Sequence, residues 1–253
     1  MPRMTDHADI KRQLAQHRAH EMHDTALGPF IHDIVFGAHD GIVTTFAVVA
    51  GTVGADLPVS VIIILGVANL LADGVSMGAG SFLSLRSEKD EYERILKEEL
   101  YEIDKMPELE REEVREAYEA KGFTGSDLDR AVDILTRDRE IWAKTMMHEE
   151  HGMTGETTAR PLLHGFATFL GFLIFGAIPL APYVFGFGGG HQFLTAILST
   201  AAALLIVGIT RSMVTRERIV HGILEVLAVG TIATAVAYGT GVMLRQIGTG
   251  VGL

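Results

Sequence analysis

The chain of 253 residues contains no cysteine. Disulfides and thiolate metal sites are therefore excluded, which leaves carboxylate, imidazole and thioether groups as the available metal ligands. The first 28 residues lack an apolar core of the signal-peptide kind. Membrane insertion is accordingly expected to be driven by the first apolar helix. No Glu is followed three residues later by a His, a pairing that di-iron sites in helix bundles usually need, so a membrane-bound di-iron oxidase is a weak alternative. Basic residues are few, with 21 Lys and Arg against 32 Asp and Glu, a formal net charge of −11. Such a balance argues against nucleic acid and for a cationic partner.

What is present falls into two regimes. The chain is 48% hydrophobic with a mean hydropathy of +0.27. Residues 86–156 hold 22 acidic and 12 basic residues, a net of −10, so the acidity belongs to one segment. The remainder is apolar and close to neutral. The pattern predicts an all-α polytopic membrane protein with five transmembrane helices and an acidic cytosolic three-helix insert. The expected divisions are a polar tail (1–28), two membrane helices (29–85), the acidic insert (86–156) and three further membrane helices (157–253).

In chain order, His17, His20 and His23 recur every three residues in the tail, a weak metal-collecting surface or simply an exposed amphipathic segment. The first membrane helix is expected over about 30–54 and the second over about 59–83. No proline follows until Pro107, so the second helix should leave the membrane and continue into water until Lys105-Met106-Pro107 ends it. A short helix from Glu108 to Ala120 follows. Ser126 is the expected N-cap of a third insert helix running to about His151 and closed by Gly152. Leu162–Val184 contains Pro179 and Pro182, which should kink or end it. Gln192–Thr210 and Ile219–Leu244 complete the five spans. The stretch RSMVTRER, with Arg211, Arg216 and Arg218, reads as a cytoplasmic loop by the positive-inside rule. Five spans then place the N-terminus and the insert in the cytoplasm too, as Lys11, Arg12 and Arg18 also indicate.

Two polar constellations interrupt the apolar pattern. Gly37, Asp40, Thr44 and Gly51 share approximately one face of the first helix. Asp40 reads either as an N-cap near the surface or as an intramembrane acid. The apolar run after it is too short to cross about 30 Å comfortably, which draws Asp40 into the membrane. On the second helix Asn69, Asp73 and Met77 stand at i, i+4 and i+8, a stripe about 12 Å long. A carboxylate in an apolar span costs roughly 2.5–3.5 kcal/mol on insertion scales and normally faces a protein interior or a polar pathway. Ser76, Gly78 and Gly80 offer the plainer alternative of close helix packing. Within the insert, Glu99 and Glu102 are i, i+3, as are Glu110 and Glu113 across the proline turn. Met146, Met147 and Glu150 lie within one turn, beside His148 and His151. Carboxylates alone suit Mg²⁺ or Ca²⁺; added thioether sulfur shifts preference toward Fe²⁺, Co²⁺ or Zn²⁺. Solvated acidic faces and core methionines are the plainer readings.

At this point DGIVTTFAVVAG (40–51), ADGVSMGAGSFLSLRSEKDEY (72–92) and FLGFLIFGAIPLAPY (169–183) resemble the vacuolar iron transporter family. The resemblance covers essentially the whole chain after the tail. It implies a five-helix membrane domain that forms a homodimer with the ion path between subunits. It also implies exchange of Fe²⁺, and often Mn²⁺, for protons, moving metal out of the cytosol, with no enzymatic step and no prosthetic group. The family's membrane aspartate and methionine match Asp40 and Met77. Its cytosolic ligands match Glu99, Glu102, Glu110, Glu113, Met146, Met147 and Glu150. One departure stands out: better-known members carry a glutamate where this chain has Asn69, and here the nearby carboxylate is Asp73. A metal-gated divalent cation channel, with the insert as sensor, is the rival reading. The expected location is a bacterial cytoplasmic membrane.

Overall fold

The structure is a computed structural model that describes residues 10–14, 28–154, 160–215 and 218–251. The tail histidines His17, His20 and His23, and the basic residues Arg18 and Arg216, lie outside the described residues. Among the described residues no strand occurs. The main helices are α1 (Ile31–Gly54), α2 (Val59–Lys105), α3 (Pro107–Ala120), α4 (Gly125–Leu135), α5 (Arg139–Glu149), α6 (Pro161–Gly176), α7 (Gln192–Thr215) and α8 (Ile219–Val251). Five helical stretches are long and apolar enough to cross a membrane: Gly28–Gly54, Val59–Lys105, Pro161–Val184, Gln192–Thr215 and Ile219–Ile247. The protein is an all-α polytopic membrane protein.

The chain divides into two compact units. One comprises Met1–Gly78 with Phe166–Leu253, the other Ala79–Gly165. α2 is a single helix of 47 residues whose sequence passes from the first unit into the second. With no proline between Pro58 and Pro107, nothing in its backbone interrupts the hydrogen-bond ladder. It ends where Met106 N donates to Glu102 O at 2.7 Å and Pro107 opens α3 at its first turn, a position where the missing N–H has no helical partner to lose.

In the membrane unit, α1 packs against α7 and α8, which also pack on each other. Two apolar clusters result. Phe46, Val49, Ile62, Leu70, Phe172 and Tyr183 anchor one; Ala38, Ile42, Leu204, Val207 and Val226 anchor the other. Glycines set how closely the helices approach. A Cβ at Gly37 would lie 2.2 Å from Thr168 O, and one at Gly41 would lie 2.4 Å from Phe172 O, so α1 meets α6 backbone to backbone. At the other end of α1, a Cβ at Gly241 of α8 would lie 2.1 Å from Gly51 O. Small residues four apart permit such contact where lipid offers no hydrophobic drive between helices. Pro179 and Pro182 break the third span into α6, a 3-10 turn at Ile178–Leu180 and a helical turn at Ala181–Val184.

The acidic unit has its own core of Ile103, Val114, Leu128, Val132, Trp142, Ala143 and Met146. Two local readings require correction. The helix expected from Ser126 to about His151 is two helices. α4 ends at Leu135, and Asp138 caps α5 by accepting from Glu140 N at 2.9 Å and Ile141 N at 3.0 Å. An Asp that satisfies two free N–H groups starts a helix rather than continuing one. Ser126 lies inside α4, which begins at Gly125. Arg211, expected in a loop, is in α7 and forms an ion pair with Glu225 of α8 at 2.6 Å.

Gly41→Val should force α1 from α6 and cost roughly 1–3 kcal/mol, the scale of overpacking. Gly80→Ala, where an added Cβ meets nothing within 4 Å, should be neutral or slightly stabilising. Thermal unfolding of the detergent-solubilised variants distinguishes the two.

Candidate metal centre

The acidic unit is built so that most of its cations are consumed away from one cluster. Arg94 pairs with Glu98 at 2.7 Å, Arg115 with Asp129 at 2.8 Å and Arg139 with Asp104 at 2.6 Å. Arg111 pairs with Asp133, and Lys121 with Glu149. These contacts hold Asp104 and Glu149 below the ordinary carboxylate range, through the hydrogen bonds from Arg139 and Lys121 respectively. None of the ion pairs among the described residues reaches Glu102, Glu110, Glu113 or Glu150.

Three of those acids, Glu102, Glu110 and Glu150, gather around Glu99. Single oxygens of Glu99, Glu102 and Glu110 lie within 4.8 Å of one another, and so do ligand atoms of Glu99, Glu150 and His151. Three helices supply them. α2 presents Glu99 and Glu102 one turn apart, α3 presents Glu110 one turn after its proline start, and the end of α5 delivers Glu150 and His151. Gly152, at φ 64°, takes the left-handed backbone that glycine adopts without strain, and Met153 N donates to Met147 O at 2.8 Å to close this turn. Glu99 and Glu110 are each 3% exposed. Glu99 Oε1 meets His151 Nε2 at 2.8 Å, whereas Glu99 Oε2 and Glu110 Oε2 are buried without a hydrogen-bond partner. Buried polar atoms in folded proteins are almost always satisfied, so two such orphan carboxylate oxygens among the described residues are chemically fit to take a cation.

The electrostatics agree. Glu110 is pushed up to about 7, first by burial and then by the charges of Glu113, Glu99, Glu102 and Glu150. Glu99 is raised by burial, with its hydrogen bond to His151 acting in the opposite sense. Glu113 is raised by burial and by Glu150, Glu99 and Glu102. A divalent ion would neutralise this repulsion directly. Met146 and Met147 are each 1% exposed, and Met146 packs in the apolar core of the unit. The sequence signal that locates His151 is its position one turn after Met147, next to Glu150.

In the membrane unit, Asp40 lies in the interior of α1 rather than at its N-cap, and it is half-buried, as are Asn69, Asp73 and Met77 on α2. Asp73 is near enough for its charge to act on Asp40. Met77 packs against the cluster of Phe46, Leu70 and Phe172. Gly37 and Gly41 flank Asp40 and fix its helix against α6. Among the described residues, neither Asp40 nor Asp73 belongs to a group of three His or acidic side chains at metal-ligand spacing.

The profile of the VIT family matches residues 31–242. The chain belongs to the VIT family. Among its relatives, the vacuolar iron transporter of Toxoplasma gondii is 35% identical over 249 residues, covering 94% of this chain and 82% of that protein. Vacuolar iron transporter 1 of Oryza sativa subsp. japonica is 32% identical, covering 92% of each chain. The vacuolar iron transporter of Plasmodium falciparum is 35% identical, covering 84% of this chain and 81% of its own. The matched region of this VIT family member contains both the membrane constellation and the acidic cluster.

The raised Glu110 makes a signed prediction. The folded state holds its proton more tightly than the unfolded chain, whose value is the ordinary 4.5. Its destabilising effect is therefore absent below that value and grows as pH rises through about 7. Trp142, the chain's single tryptophan, is buried in this unit and reports its unfolding by fluorescence. Metal-free protein should melt lower at pH 8 than at pH 5.5. Glu110→Gln should raise the pH 8 midpoint by about 5 °C and flatten the pH dependence.

Proposed function

We propose that this protein transports a divalent metal, Fe²⁺ with Mn²⁺ as a second cargo, out of the cytosol in exchange for protons. The observation that carries the reading is the pair of buried, unpartnered carboxylate oxygens of Glu99 and Glu110, set among acids that lack cations. A transporter that collects scarce metal needs such a site, and a solvated acidic face does not bury its carboxylates. The relatives' names, vacuolar iron transporter, support iron as the cargo.

The mechanism follows from the competition of protons and metal for the same oxygens. Glu99, Glu102, Glu110, Glu113 and Glu150 gather the ion in the acidic unit, with Met146 and Met147 as thioether ligands that favour Fe²⁺ over Mg²⁺. In the membrane, Asp40 and Asp73 receive it, Asn69 offers a neutral oxygen and Met77 a weak sulfur. Protonation of the carboxylates removes the charge that holds the cation, so proton entry drives metal release. One chain contributes two acids to the membrane site, and a twofold homodimer would bring four. Much of α2 is left uncovered within one chain, including Ile64, Leu71 and Val75, which supports α2 as a contact surface for the second subunit. Arg211, at the end of α7, supports placing the acidic unit on the cytosolic side by the positive-inside rule. The bacterial cytoplasmic membrane expected from the sequence draws no support from relatives named for vacuoles, so the proposal is limited to a membrane that faces the cytosol.

Proteoliposomes loaded with a pH indicator test this. With Fe²⁺ or Mn²⁺ outside, metal entry should be accompanied by proton exit and should respond to an imposed proton gradient. Metal flux indifferent to the gradient would instead identify a metal-gated channel, with Asn69 having removed the coupling. Asp40→Asn should abolish flux while the protein still folds and elutes as the wild type does. Asp73→Asn should reduce flux severely, because this chain has no acid at position 69 to take its place.

A further inference from the structure

We propose that His151 is a nitrogen ligand of the metal centre and that it tilts the acidic unit toward metals favoured by imidazole, Fe²⁺, Co²⁺ and Zn²⁺, over Mn²⁺ and Mg²⁺. The inference rests on the reading of the acidic cluster as a metal site and assigns a donor that the carboxylate and thioether set does not contain.

The geometry carries it. His151 Nε2 stands 2.8 Å from Glu99 Oε1. Two donors bound side by side to one ion, with bonds of about 2.0–2.2 Å, are separated by about 3 Å, so the pair already has the spacing of neighbouring ligands. Glu150 completes a group whose three ligand atoms lie within 4.8 Å of one another, little more than the span of one coordination shell. The second oxygen of Glu99 is buried and unpartnered. A carboxylate can bind one ion through both oxygens, so Glu99 offers to the same ion the oxygen beside His151 and this second one.

His151 differs from its neighbour His148 in what surrounds it. The His148 side chain is 60% exposed and lies 3.4 Å from Glu149, whose charge is already met by Lys121. The His151 side chain is 28% exposed and faces Glu99, which is 3% exposed and, among the described residues, pairs with no Lys or Arg. A ring nitrogen held against a buried carboxylate in a cluster of uncompensated acids is placed to exchange its hydrogen bond for a metal bond. The chemistry of the donor then sets selectivity. Oxygen-only sites discriminate weakly among hard divalent ions, whereas each imidazole strengthens binding along the series from Mn²⁺ through Fe²⁺ to Co²⁺.

The test uses full-length protein in detergent with one equivalent of Co²⁺, read by X-ray absorption for the outer scattering of an imidazole ring, and with Co²⁺ and Mn²⁺ titrations. Wild type and His148→Leu should show the imidazole signature. His151→Leu and His151→Gln should lose it, the latter although glutamine can still hydrogen-bond Glu99. Co²⁺ affinity should fall at least about tenfold in both His151 variants, a scale already reached by groups one step removed from a metal. Mn²⁺ affinity should change much less. Glu110→Ala should weaken both metals and so locate the ion in this cluster. Bound Co²⁺ without an imidazole signature, a signature that survives His151→Leu, or equal losses for the two metals would overturn the role of His151 and leave an acid-and-thioether site. Wild-type protein that binds neither metal, or binds both unchanged in Glu110→Ala, would overturn the acidic cluster as the metal site, and this inference with it.

Discussion

A carboxylate taken out of water without a cation is costly, and this protein does so in two places. In the acidic unit Glu99 and Glu110 are nearly fully buried with one oxygen each unsatisfied. In the membrane unit Asp40 and Asp73 stand half-buried within apolar spans. A single buried charge that loses its partner costs several kcal/mol in typical cases. Glu99 and Glu110 are the most deeply buried of these four acids, and a cation at their free oxygens would offset that cost.

The rest of the acidic unit is arranged to keep that demand unmet. Four of its arginines, Arg139, Arg115, Arg111 and Arg94, pair with Asp104, Asp129, Asp133 and Glu98. Exposed pairs of this kind add little stability. The apolar core around Trp142, Val114 and Val132 supplies the stability that the acids remove. The charges of Glu113, Glu99, Glu102 and Glu150, which add to burial in raising Glu110, are the repulsion that a bound cation would relieve.

The membrane unit solves a different problem, which is to hold acids at a defined place where lipid gives helices no reason to associate. Glycines at both ends of α1 do this by removing the side chains that would keep α6 and α8 at a distance. Asp40 lies between Gly37 and Gly41, so the residues that seat the helix also position the carboxylate.

Much of this was legible in the linear chain. Five apolar spans, the uninterrupted α2, its end at Pro107 and the membrane acids follow from hydropathy, helical period and proline chemistry, all of which act over a few residues. The i, i+3 glutamate pairs were readable for the same reason. The break before Asp138 was not, since a continuous helix and two capped helices share one periodicity and only the cap decides between them. The sequence pointed to Glu150 rather than Glu149 by its place with Met146 and Met147 and by resemblance, but it left His148 and His151 undistinguished. Two histidines three positions apart differ chiefly in what folds against them. Tertiary structure gave Lys121 to Glu149 and Glu99 to His151, because those partners lie 28 and 52 residues away in the chain and long-range pairing leaves no local signature.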